Sequence, residues 1–251
     1  MTEHALVTGA AKRIGKALAL HLAKRGCCVS VHYKTSEAEA RQVVADITQM
    51  GGKAVAIQAD LADMQAVAAL EAAAAAAFGP VTLLVNNAST FEMDEIGSIT
   101  QESWDHHLKP NLQAPIFLSQ AVAKRLPAGQ KGLIINLIDQ RVWALTPRFM
   151  SYTLSKAALW SATQTLAQAL APDIRVNAIG PGPTLSNSRQ SDGDFQAQIE
   201  ATILQVQPQL SEFAAAIDFI RQAPSMTGQM IALDSGQHLA WQTPDVVGCF
   251  E

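Results

Sequence analysis

The sequence predicts an α/β fold: a single doubly wound domain over residues 1–251, with a parallel sheet of about seven strands and helices on both faces. Three observations carry that prediction. Apolar runs of strand length recur along the chain without the polar alternation of a half-exposed sheet. Helix-length stretches separate them, which gives each strand a crossover that can return the chain parallel. No segment rich in Gly, Pro or Ser and no longer repeat divides the 251 residues into two units.

The elements follow in order. Ala5–Thr8 is the first strand and Lys16–Arg25 its helix. Cys28–Tyr33 and Glu37–Met50 are the second pair, and Ala54–Gln58 and Met64–Phe78 the third. The alanine run Ala72–Ala77 reads as strong helix packed close to the sheet rather than as low complexity. Leu83–Asn86 is followed by a long helix over Asn111–Arg125, and Leu133–Leu137 by Ser151–Leu170. Arg175–Ile179 and Met230–Leu233 complete the sheet. Between these last two, Leu185–Gln209 is polar and uneven and reads as a loop.

Composition excludes several classes. A net charge of −4 gives no electrostatic reason to bind nucleic acid or an anionic membrane. No apolar run approaches the length of a membrane span. The chain enters a strand at once, which leaves no room for a signal peptide. Cys27 and Cys28 are adjacent and Cys249 is remote, so neither a disulfide nor a metal set is expected, and a reducing cytoplasm fits. His106-His107 lacks a third ligand at metal spacing and reads as a surface or interface pair.

Three places carry chemistry. The first strand runs into Thr8-Gly9-Ala10-Ala11-Lys12-Arg13-Ile14-Gly15 and then a helix. Such a junction binds a dinucleotide pyrophosphate, because glycine lets the backbone approach and the helix N-terminus offers free amides. Arg13 replaces the usual middle glycine and would add a cation facing phosphate. The second strand ends in His32-Tyr33-Lys34-Thr35-Ser36, where an NAD site would carry an acid; Lys34, Thr35 and Ser36 suit the 2′-phosphate of NADP. Ser36 could also cap the next helix, with Glu39 completing a capping box. Third, Tyr152 and Lys156 stand four residues apart, one helical turn. A phenol ordinarily titrates near 10, and a neighbouring ammonium should lower it toward neutral pH.

These pieces, with Asp60-Leu61, Asn86-Asn87-Ala88-Ser89, Asn111, Arg175-Val-Asn177, Pro181-Gly182 and Thr227-Gly228, resemble a short-chain dehydrogenase/reductase over nearly the whole length. The resemblance implies a Rossmann-like fold and a cofactor site of Gly9, Arg13, Ile14, Gly15, Tyr33, Lys34, Thr35, Ser36, Asp60, Leu61, Asn87, Ala88, Ser89, Pro181, Gly182 and Thr184. It implies that Asp60 touches the adenine, that Asn111 orders a relay water, and that Pro181–Thr184 covers the nicotinamide. It also implies a homotetramer built on Asn111–Arg125, Ser151–Leu170 and the C-terminal strand, which the tail Thr243–Glu251 could reach across.

Within that family three departures resemble the pteridine reductase and dihydromonapterin reductase branch: Lys12-Arg13, Ser89 with Phe91, and Asp139 where the common pattern has a serine. That branch implies a pterin held against Phe91, with Arg13, Ser89, Asp139 and Tyr152 around it. An ionised Asp139 cannot donate to a ketone oxygen, whereas it can accept from the ring N–H and amino groups of a pterin. With a pKa raised by desolvation, it could supply a proton together with Tyr152. Asp139 could equally cap or pair with Arg141 and do nothing more. Trp143, Phe149 and Trp160 read as packing around the active-site helix, Trp143 lying close enough to Asp139 to line the pocket. The expected activity is NADPH-dependent reduction of a pterin or dihydropterin. A general carbonyl or enoyl reductase, or a silent NADPH-binding regulatory protein, are the alternatives.

Overall fold

The computed structural model describes residues 3–186, 190–243 and 247. In chain order its elements are β1 (His4–Val7), α1 (Arg13–Lys24), β2 (Cys28–Tyr33), α2 (Glu37–Gln49), β3 (Lys53–Gln58), α3 (Met64–Phe78), β4 (Leu83–Asn86), α4 (Gln101–Leu108), α5 (Ala114–Arg125), β5 (Gly132–Leu137), α6 (Met150–Leu170), β6 (Ile174–Pro181), α7 (Asp192–Glu200), α8 (Leu210–Gln222) and β7 (Met230–Leu233).

The seven strands form one sheet in the order β3-β2-β1-β4-β5-β6-β7, every pair parallel. Successive side chains of a strand point to opposite faces, and here both faces are covered. Ala5, Val7, Leu83, Val85, Leu133 and Ile135 join Leu18, Leu22, Ile47, Phe213 and Ile217 in one core. Leu6, Leu84 and Ile134, one residue out of phase, join Val67, Leu70, Leu118 and Val122 in the other. This is why the strands read as continuous apolar runs. Strand order reverses direction at β1 and β4, so the crevice for a ligand opens above their carboxyl ends.

Several boundaries differ from the sequence expectation, each for a local reason. α1 begins at Arg13, inside the glycine turn. The helix expected from Asn111 opens with a π turn over Lys109–Gln113 before α5 proper. The segment expected as loop over Leu185–Gln209 contains α7, whose N-cap Ser191 accepts from the Asp194 amide at 3.1 Å. The capping box at Ser36 is absent: Ser36 makes no side-chain cap, and Glu39 instead pairs with Lys12 at 2.8 Å. In α3 the alanine run packs with Ala74 buried, while Ala72, Ala73, Ala76 and Ala77 face outward. The expected tail contacts, and Cys249, lie outside the described residues.

Close packing of α1 on the strand ends rests on Gly15. A Cβ there would stand 2.3 Å from the Gly9 carbonyl oxygen and 2.5 Å from Asn87 Nδ2. Gly15→Ala should therefore cost about 1–3 kcal/mol through overpacking, measured as a lower urea midpoint with an unchanged slope.

Candidate active site

The site is assembled from the ends of β1, β4 and β5 and the first turns of α6. At β1 the Thr8 hydroxyl accepts the backbone N–H groups of Asn87 (2.9 Å) and Ala88 (3.0 Å), tying β1 to the exit of β4. Asn87 returns the contact, donating Nδ2 to the carbonyls of Thr8 (2.8 Å) and Gly9 (3.1 Å). Gly9 sits at φ +62 and Arg13 at φ +55, both in the left-handed region. A side chain at such a backbone costs roughly 1 kcal/mol, which is the physical reason glycine is usual at position 13. Lys12, the N-cap of α1, makes no side-chain cap, so the first amides of that helix remain for an anion.

At β5, the chain leaves the sheet through Ile138 and Asp139. Asp139 Oδ1 accepts the Arg141 backbone N–H at 2.8 Å and caps a short 3₁₀ turn over Gln140–Val142. Its Oδ2 accepts the Tyr152 hydroxyl at 2.7 Å. Capping is thus real but occupies one oxygen, and the other engages the phenol. Lys156, one turn on and 2% exposed, donates Nζ to the Leu137 carbonyl at 2.8 Å and lies 5.9 Å from the Tyr152 ring centre. Phe91 meets Tyr152 edge-on at 4.6 Å and stacks on Phe149 at 4.3 Å, and the Arg141 guanidinium lies over both phenylalanine rings.

Electrostatics correct one expectation. The Tyr152 phenol is not lowered by Lys156: burial and then Asp139 push it well above its ordinary range. Burial likewise raises Asp139, against the opposing Arg141 amide and Tyr152 hydroxyl bonds. Burial lowers Lys156 to about 8, partly offset by Asp139. Two acids on one hydrogen bond resist ionising together, and burial and this coupling both push the pair upward.

A cleft of about 450 Å³ brings together Gly9, Arg13, Ile14, Gly15, Asn87, Ala88, Ser89, Phe91, Asp139, Tyr152, Lys156, Pro181, Gly182 and Thr184. Tyr33, Lys34, Thr35, Ser36, Asp60 and Leu61 are not on its wall. They cluster beyond it at the ends of β2 and β3, where Lys34 pairs with Asp60 at 2.9 Å. Arg13 reaches across the cleft mouth and donates to the carbonyls of Leu185 (2.9 Å) and Ser186 (2.5 Å). Asn111 is fully buried in the π turn, and its amide is committed to both backbone groups of Thr90 (2.8 and 2.9 Å) and to Ser155 (3.1 Å). Any part it takes in a water relay therefore falls to its main-chain carbonyl. Among the described residues no group of His, Cys, Asp and Glu could hold a metal, and no helix is long and apolar enough to cross a membrane.

Residues 3–197 match the family model for short chain dehydrogenases. The chain belongs to the short-chain dehydrogenase family. An uncharacterised oxidoreductase of Methylorubrum extorquens is 35% identical, covering 92% of this chain and 96% of its own. The 3-oxoacyl-(acyl-carrier-protein) reductase FabG of Staphylococcus aureus is 31% identical over 95% of this chain and 99% of its own. The crystal structure of FolM alternative dihydrofolate reductase 1 from Brucella canis, complexed with NADP, superposes with a TM-score of 0.95 at 49% identity, covering 98% of this chain and 97% of that one.

This short-chain dehydrogenase also uses residues that sequence reasoning passed over. His32 is one: its Nδ1 accepts the Gly9 amide at 3.0 Å, so the proton sits on Nε2 and goes to the Ala59 carbonyl at 3.1 Å. It thereby braces the glycine turn from below. Arg141 lines the cleft, and so does Phe195 from α7, for which the spacing Ser191-x-x-Asp194 was the available signal. Phe149 backs Phe91 at a strained φ of +56. Trp143 does not line the cleft; it packs against Trp160 and His238 at 6.3 and 5.0 Å. His107, expected at the surface, is fully buried, while His106 is exposed.

Burial of neutral His32 lowers its pKa from 6.5 to about 4. Below pH 6.5 the unfolded chain takes up this proton and the folded one does not. Stability should fall as pH drops through this window and level off near 4, a loss of roughly 3 kcal/mol. Urea melts across the window should show the loss in the wild type and a shallower one in His32→Gln.

Proposed function

We propose that the chain is an NADPH-dependent reductase of a pterin or dihydropterin. The observation that carries the reading is the bond from the Tyr152 hydroxyl to Asp139 Oδ2 at 2.7 Å, where the family's common pattern has a serine. A serine would donate to a ketone oxygen. Here the wall of the cleft presents an acceptor instead, matched to ring N–H and amino groups.

The cofactor is NADP(H), and the residues present fit it. The uncapped amides of α1 and the glycine turn at Gly9 would form a cradle for pyrophosphate, with Gly15 letting α1 pack close behind it. Lys34, Thr35 and Ser36 would hold the 2′-phosphate, with Tyr33, Asp60 and Leu61 at the adenosine end. Asn87, Ala88, Pro181, Gly182 and Thr184 would enclose the nicotinamide end, and Lys156 its ribose. When bound, NADPH supplies a hydride to the carbon of a C=N bond. The protein must then deliver a proton to the nitrogen. That proton comes through the Tyr152 hydroxyl, which donates to Asp139 Oδ2, and the carboxylate, its pKa raised by burial and partly open to the cleft, relays it. Phe91 offers a face to a flat heterocycle, with Arg13 and Ser89 as polar contacts. Likeness to the Brucella canis protein, a dihydrofolate reductase crystallised with NADP, supports this substrate class.

The FabG relatives favour a second reading, a carbonyl reductase. The Asp139 carboxylate disfavours it, because it would repel the oxyanion formed as a ketone is reduced. We further propose a homotetramer packed through α5 and α6, on which Phe117 and Leu154 are exposed, working in a reducing cytoplasm that leaves Cys27 and Cys28 free. Light scattering tests the oligomer.

Purified protein should oxidise NADPH in the presence of dihydrobiopterin or dihydromonapterin, and Tyr152→Phe should lower turnover on the order of 100-fold or more. Asp139→Ser should lower pterin turnover and raise ketone turnover. Activity on simple ketones alone would overturn the pterin reading. Lys34→Ala should weaken NADPH binding by at least roughly tenfold and leave NADH unaffected, as expected for loss of a charge-assisted phosphate contact.

A further inference from the structure

Beside the cleft, yet not on its wall, lies a buried polar chain that the reaction above does not use. Asp94, His107 and Ser151 are 2%, 0% and 0% exposed. Their residue types suggest a nucleophilic triad, but the order of the bonds excludes one. Ser151 Oγ lies between the other two, donating to Asp94 Oδ2 and standing 2.7 Å from His107 Nδ1. In a nucleophilic triad the histidine stands between serine and carboxylate and takes the serine proton.

The protons can be placed. The Glu92 amide donates to His107 Nε2 at 2.9 Å, so that nitrogen carries no hydrogen and Nδ1 does. Nδ1–H then serves the Ser103 carbonyl at 3.0 Å and Ser151 Oγ. The Ser151 hydroxyl passes its own hydrogen to Asp94. Asp94 Oδ1 also accepts the Ser151 amide at 3.1 Å, and its carbonyl accepts the Met150 amide at 3.2 Å. None of the three side chains has a buried polar atom without a partner.

What this chain joins gives it a meaning. Glu92 follows Phe91, and Ser151 precedes Tyr152. The two residues whose rings meet at 4.6 Å are each held, one position away, by the same imidazole. An apolar contact could slide; a buried chain of hydrogen bonds with fixed donors cannot do so without leaving a polar atom unpaired. We propose that His107 is a positioning residue. Through the Glu92 amide on one side and Ser151 with Asp94 on the other, it sets the separation of Phe91 from Tyr152. That fixes the distance between the bound ring and the proton-donating phenol. The proposal rests on Tyr152 as the proton donor and does not require the substrate to be a pterin.

The test uses His107→Leu, which removes both bonds at similar volume, and His107→Gln, which can still accept and donate. With dihydrobiopterin, the leucine variant should lose turnover by roughly 10- to 100-fold, the scale of a misplacement near 1 Å. Glutamine should restore most of it, and NADPH affinity measured by fluorescence should stay unchanged in both. A folded leucine variant with wild-type turnover, or loss of NADPH affinity in step with turnover, overturns the proposal. If His107→Leu does not fold, Ser151→Ala removes only the hydroxyl link and carries the same expectations.

A second readout needs no substrate. The chain has two tyrosines, so Tyr33→Phe leaves Tyr152 as the sole phenol. In that background phenolate absorbance should appear only as the protein unfolds in alkali. Adding the clamp substitution should bring it in earlier, toward the ordinary value near 10, at a pH where circular dichroism still shows the folded protein; a signal that moves only in step with unfolding overturns the clamp. An unchanged titration overturns the clamp. A wild type that oxidises NADPH with no pterin overturns the substrate reading instead, while the titration still decides the clamp.

Discussion

The hydrogen bond between Tyr152 and Asp139 closes a thirteen-residue excursion of the chain, from the end of β5 to the first turn of α6. One wall of the cleft lies on that excursion or packs against it. Asp139 turns the backbone by capping the Arg141 amide, Arg141 comes to rest over Phe91 and Phe149, and Phe149 enters α6 at a left-handed φ. The strain at Phe149 is tolerable because its ring stacks on Phe91 and its carbonyl begins the helix. An acid pair in such a place is held up in pKa by burial, and the fold supplies the burial.

The other half of the cleft depends on a different kind of constraint, the closeness of backbones. Thr8, Gly9, Gly15 and Asn87 bring β1, β4 and α1 within hydrogen-bonding distance, leaving no room for a Cβ at Gly15. His32 braces this knot from β2 and remains neutral because it is buried with both nitrogens used. The same packing that excludes side chains leaves the helix amides exposed to an anion. Tightness and function have one origin here.

Much of this was legible beforehand. Seven strands fell where apolar runs predicted them, since a strand buried on both faces has no other way to be written. The turn at Thr8–Gly15, the Tyr152-Lys156 pair and Asp139 were readable because their spacing is local or because their departure from a family pattern is visible. Other features were not. His107 was expected at the surface, because nothing near it in sequence shows that Glu92 and Ser151 will arrive on its two nitrogens. The lowering of Tyr152 by Lys156 was a reasonable inference from one helical turn, and it failed because burial raises the phenol and Asp139 takes its hydrogen, while Lys156 turns to the Leu137 carbonyl. α7 was hidden by Asp192-Gly193-Asp194, whose turn-like composition masked the cap at Ser191.

By itself, then, the sequence determined the doubly wound α/β class, the place of the glycine turn at Thr8–Gly15, and the residue types at Lys34-Thr35-Ser36, Asp139 and Tyr152 on which the proposed chemistry rests. These depend on periodicity and on contacts between near neighbours in the chain. Only the tertiary structure decided which of those residues share the cleft, which way the Tyr152 pKa moves, and that a buried histidine spans Phe91 and Tyr152. Those outcomes depend on burial and on bonds between distant segments, and neither desolvation nor a long-range hydrogen bond leaves a mark in local sequence.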